Sequence, residues 1–186
     1  MSLSPDQART LMHEWVESTS LRNHMESVAC CTAAYARLVE PGEVDRWEVA
    51  ALLHDLDYER HPTIEEHPFV AVEHLRQRGD VDDEILNAIL AHADYSGVPR
   101  ETPMAHHLYA CDELAGFIVA CSRVIPNGVA DLKLKSVRKK FRNAKFAAAV
   151  NRDDVTRGAA GIGAELDEHI QFCIDALVAD RERLGI

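Results

Sequence analysis

The chain has 186 residues, 47% of them hydrophobic and 6% aromatic, which is enough apolar material for an ordinary globular core in one domain. A formal charge of −11 and a pI near 5.3 argue against general nucleic-acid binding and against an anionic membrane surface, since both call for basic faces. No apolar run approaches the roughly 18 residues of a membrane span. The opening MSLSPDQ has neither a basic nor an apolar leader pattern. The five cysteines include no C-x-x-C, so reduced thiols in a cytoplasmic protein are expected.

In chain order, Ser4, Pro5 and Gln7 form a helix-start signature, with Ser4 as cap and Gln7 completing a capping box. The first helix is expected to run to about Ser18. A second begins near Leu21 and ends before Pro41-Gly42; its apolar stripe holds His24 between Leu21 and Val28. A third spans about Val44 to Leu56 and carries His54 and Asp55 near its end. Pro62 and Pro68 bracket a loop, and a fourth helix follows from Pro68 to Gln77, stopping at Gly79. A fifth, from about Asp82 to Ala93, places Ile85, Ile89 and His92 on one face. DYSGVPRETP reads as a loop. A sixth, from about Met104 to Ser122, aligns Leu108, Asp112, Ala115 and Val119. The last runs from Glu165 to about Arg183, and GAAGIG before it reads as a helix junction. No strand alternation or internal repeat is visible. The expected fold is an all-α, single-domain helical bundle over residues 1–186, with a core at about 20–125 and a C-terminal helical extension at about 126–186.

His24, His54, His92 and Asp112 sit where helix periodicity points inward, and Asp55 adjoins His54. A buried carboxylate is costly unless something compensates it. Several such groups on different helices suit a divalent first-row metal. The remaining histidines, His13, His74, His106, His107 and His169, read as surface or core residues, and Cys30-Cys31 as packing residues.

The ordered pattern His24, His54-Asp55, Asp112, with LLHDLD around the dipeptide and LYACDELAGF around the last aspartate, resembles the HD superfamily of metal-dependent phosphohydrolases across about residues 20–125. The resemblance implies a helical fold and His24, His54, Asp55 and Asp112 as ligands of one metal. EHPFVAVEHL and ILAHADYSGVP resemble the histidine segments of the HDIG-like subgroup, which implies His67 and His92 at a second metal bridged by Asp55. Ala71-Val72 stands where glycine-alanine is common in that subgroup, and the second segment lacks the longer pattern of cyclic-dinucleotide enzymes. One or two divalent ions are implied, with Mn, Fe, Zn, Ni, Co and Mg not distinguished by the ligand types.

The stretch KLKSVRKKFRNAK, residues 133–145, holds seven of the twenty Lys and Arg and no acid. It reads either as a solvated face or as an arm that meets an anion. On a helix Lys135, Arg138 and Lys139 share one face, while Val137 and Phe141 could dock on the core. The expected function is hydrolysis of a small phosphoester, such as a nucleotide, by metal-activated water. Asp55 would hold the metals, Asp57 or His61 would assist proton transfer, and Lys135, Arg138 and Lys139 would bind substrate. The rivals are a di-iron oxygenase built on the same ligands and a metal-stabilised binding module without catalysis. Neither the oligomeric state nor the substrate follows from the residues.

Overall fold

A computed structural model describes residues 3–186. Ten α-helices and two 3-10 turns make up the described residues, with no strand among them. Helix α1 spans Pro5–Trp15, and its capping box forms as the residues dictate: the Ser4 hydroxyl accepts from the Gln7 N–H, and the Gln7 side chain accepts from the Ser4 N–H. It stops at Trp15 rather than near Ser18. Val16 turns extended and Ser18 instead caps α2, Thr19–Val39, accepting from the Leu21 N–H. Helix α3 spans Val44–Leu53, and every residue from Val49 to Leu53 is fully buried. That C-terminal half, apolar on every side, belongs in an interior, and α1, α2, α5 and α6 surround the helix. The chain then leaves helical geometry in a run of turns instead of continuing to Leu56.

Helix α4, Phe69–Arg78, ends on Gly79, whose φ of 74° closes it in the left-handed region that glycine adopts without strain. Helix α5, Asp83–Ala91, is capped by Asp82, whose side chain accepts from the Glu84 and Ile85 N–H groups. Helix α6, Pro103–Ser122, packs against α2, α5, α8 and α9. Helices α3 and α6 are thus the two interior rods.

Four helices follow: α7 at Leu134–Phe141, α8 at Arg152–Gly161, α9 at Leu166–Ala179 and α10 at Arg181–Leu184. In α7, Val137 is buried and Phe141 stands edge-on to Phe117 of α6, with ring centroids 5.5 Å apart. The helix α8 replaces the expected junction. Asn151 caps it by accepting from the Asp153 and Asp154 N–H groups. Its glycines permit close packing: a Cβ on Gly158 would lie 2.7 Å from the Ala110 Cα of α6. The single last helix expected is interrupted at Asp180, which separates α9 from α10.

Candidate metal centre

Five separate segments bring six side chains to one point. Helix α2 supplies His24 and α6 supplies Asp112. His54 is the C-terminal cap of α3, with Asp55 in the turn beyond it. His92 caps α5, and His67 comes from the loop before α4. The carboxylate of Asp55 stands between two groups. Its Oδ2 lies 3.6 Å from His24 Nε2 and 3.5 Å from His54 Nε2. Its Oδ1 lies 3.4 Å from His67 Nε2 and 3.6 Å from His92 Nε2. Asp112 Oδ1 joins the first group, 3.0 Å from His24 Nε2 and 3.4 Å from His54 Nε2.

The far sides of the rings fix their chemistry. His54 Nδ1 donates to the Ala51 carbonyl at 2.7 Å, and His92 Nδ1 donates to the Ile89 carbonyl. A carbonyl only accepts, so Nδ1 carries the proton in each ring. His67 Nδ1 donates to Asp57 Oδ1 at 2.7 Å. In the neutral imidazoles, each Nε2 therefore turns a lone pair toward Asp55, the arrangement metal-ligating histidines adopt. His54 is fully buried and its Nε2 has no hydrogen-bond partner. An orphaned buried nitrogen is costly, and an ion beside it would remove that cost. Two sets of donors meet the spacing of a cation site: His24, His54 and Asp55, and Asp55, His67 and His92.

The charges are mutually adjusted. Burial opposes the ionised forms of Asp55 and Asp112, yet His54 beside them holds both carboxyls well below the usual range. Burial likewise lowers the His54 pKa, but Asp55 and Asp112 outweigh it and push the ring up to about 9, so an ion binding at Nε2 would displace a proton to reach the neutral ring's lone pair. Glu113, next to Asp112, is raised to about 7 by burial and by that neighbouring carboxylate.

Five of the six residues face a cavity of about 810 Å³, whose wall also includes Tyr58, Tyr95, Glu113, Ala149 and Val150; His54 lies buried behind them. Tyr58 and Tyr95 are each about half exposed and flank His67, with ring centroids 5.1 and 6.5 Å from it. No lysine or arginine is among the described lining residues.

The other candidate residues lie elsewhere. Asp57 is fully buried behind His67, and its second oxygen accepts from the Ala71 N–H at 2.7 Å. It orients His67 and does not face the cavity. His61 bonds Glu66 at 3.0 Å and is also absent from the wall. Lys135, Arg138 and Lys139 line a different depression, with Arg138 paired to Asp167 at 2.9 Å. Tyr58, Tyr95 and Glu113 were not marked by their sequence positions. Gly116 was also missed, although it lies one turn beyond Asp112; a Cβ there would come within 3.3 Å of His24 Nδ1.

A helical bundle with histidines and aspartates converging on one carboxylate presents a cluster that could hold a metal ion. The family model for the HD domain matches residues 21–116, just over half of the chain. The chain belongs to the HD domain family, a superfamily of metal-dependent phosphohydrolases. No curated protein and no solved structure matches it. None of its described helices is long and apolar enough to cross a membrane.

Proposed function

We propose that this protein is a phosphohydrolase with a dinuclear metal centre, acting on a small phosphoester of about nucleotide size. One observation carries the proposal: the two oxygens of Asp55 address different donor sets, His24 and His54 on one side, His67 and His92 on the other. The residues fit a pair of divalent ions in chemistry, in orientation and in the unsatisfied His54 Nε2. Ions so held would lower the pKa of water and offset charge on phosphoryl oxygens.

The chain's own residues prepare that chemistry. The Ala51 and Ile89 carbonyls and Asp57 fix three imidazoles by their Nδ1 protons, so the site needs little rearrangement. Asp57 acts as a positioning residue, not as the proton carrier expected from its place in the sequence. The cavity, at about 810 Å³, is within the size range of small-molecule sites. Tyr58 and Tyr95 offer faces on which a flat leaving group can rest. Because no cationic side chain lines the cavity, substrate phosphate depends on the metal centre alone for opposite charge. Lys135, Arg138 and Lys139 play no part at this centre. A reducing, cytoplasmic setting belongs to the same reading, since all five cysteines are free.

A panel of phosphomonoesters and phosphodiesters, assayed with Mn, Co, Ni or Mg under air and under anaerobic conditions, tests the reaction class. Release of phosphate or alcohol independent of oxygen is expected. Turnover that requires oxygen would move the centre to di-iron oxygenase chemistry, for which the same ligands suffice. Full metal occupancy without turnover of any ester would leave a metal-stabilised binding module.

A further inference from the structure

All five lysines of the chain, Lys133, Lys135, Lys139, Lys140 and Lys145, fall between positions 133 and 145; elsewhere every cation is an arginine. Many of those arginines are committed to carboxylates, as Arg9, Arg46, Arg100, Arg157 and Arg183 are. None of the lysines forms an ion pair among the described residues; Lys140 lies instead over the Phe146 ring, 5.8 Å from its centroid. Unpaired cations gathered on one segment of a chain of charge −11 leave a strong local field.

That segment is concave. Leu134, Lys135, Arg138, Lys139 and Arg142, on α7 and its C-terminal cap, face Asp167 across a depression of about 710 Å³. Asp167 fixes Arg138, while Lys135, Lys139 and Arg142 remain exposed. Lys135 and Lys139 are one turn apart, and Arg142 follows Lys139 by three, so the three follow one face of the helix. Four cations meet a single carboxylate there. A neighbouring hollow shares Leu134 and Asp167 and adds Glu168, Gln171, Phe172 and Asp175. None of these residues borders the metal cavity.

We propose that the cleft between α7 and α9 is a second ligand site, for a short chain of phosphates, distinct from the metal centre. Several cations with one opposing carboxylate suit an anion of three or four charges better than a single phosphate. The acidic side of the neighbouring hollow, with Glu168 and Asp175, disfavours a nucleic-acid backbone running past the cleft. Inorganic polyphosphate and nucleoside polyphosphates share the recognised chemistry. Gln171 and Phe172 are placed to distinguish them.

The test is calorimetric titration of the full chain, freed of metal with a chelator, with inorganic tripolyphosphate at low and moderate salt. Metal removal keeps the result independent of the phosphohydrolase assignment. Saturable binding of one tripolyphosphate per chain is expected, weakening with salt. The double variant Lys135→Ala/Lys139→Ala changes only exposed side chains and should weaken it by about tenfold or more. Lys133→Ala, outside the depression, should leave it unchanged. A nucleoside triphosphate binding more tightly than tripolyphosphate would identify the nucleotide as the form recognised, and equal affinity would identify the phosphate chain alone. Absence of saturable binding, or equal affinity in the double variant, would overturn the proposal. A single-stranded oligonucleotide that outcompetes tripolyphosphate at the same site would also overturn it, in favour of nucleic acid.

Discussion

Asp57 and His61 are four residues apart, and both look like proton carriers by type and place. Their surroundings separate them. Asp57 accepts from His67 and from the Ala71 N–H in a fully buried position. Asp57→Ala leaves two buried donors unpaired, which should cost on the order of 2–5 kcal/mol. It should also weaken metal affinity on the His67–His92 side by about 10–100-fold. His61→Ala removes a partly exposed contact with Glu66 and should change stability by less than about 0.5 kcal/mol. Denaturant titration with metal analysis of both variants checks the contrast. Equal effects from the two would contradict it. At this scale the inward histidines were legible, because His24, His54 and His92 fall on or at the end of apolar helical stripes. The direction in which Asp57 turns was not, since it depends on His67 ten residues away, across a loop without periodicity.

At the scale of elements, the ends of helices decide what the centre receives. The helix α5 delivers His92 from its C-terminal cap, and its other end is held by Asp82 and Arg46, which bond bidentately. Burial raises the Asp82 pKa, but Arg46 and the Ile85 and Glu84 N–H groups hold it below the ordinary value of 3.8. A depressed carboxyl contributes stability above its unfolded value, and that contribution is lost as pH falls through the folded one. Asp82→Ala should therefore cost about 1 kcal/mol near neutral pH, the worth of a cap. The gap from the parent should narrow below about pH 4, which thermal melts at several pH values can measure. A second contrast concerns α8. Replacing glycine by alanine inside a helix ordinarily stabilises by up to about 1 kcal/mol. Gly158→Ala should instead destabilise by about 1–3 kcal/mol, because its Cβ meets the α6 backbone at 2.7 Å. Gly161→Ala, whose nearest contact is His106 at 3.5 Å, should be neutral or stabilising. A stabilising Gly158→Ala would show that α8 does not sit that close. The same glycines hid α8 from the sequence: the segment buries only Val155, Gly158 and Ala159, too little for a visible apolar stripe.

Across the whole molecule, two interior helices and three further chain segments converge on Asp55, while the basic helix α7 lies at a different surface. The bundle itself was legible from apolar spacing, and so was the origin of most of the side chains that converge on Asp55. The separation of α7 from the metal cavity was not, because the packing of α7 on α9 and α6 is a long-range outcome that local charge density does not encode. Nor did sequence spacing reveal that Tyr58 and Tyr95 flank His67, since one lies within the run of turns after α3 and the other in a short 3-10 helix. The central claim is that Asp55 joins two metal positions. Metal analysis of the parent, His92→Ala and Asp55→Ala proteins, all loaded identically and checked for retained helicity, tests it most directly. Two ions per chain, one ion and almost none are the respective expectations, because Asp55 belongs to both donor sets and His92 to one. An Asp55→Ala protein that keeps the parent's full metal content would contradict the claim.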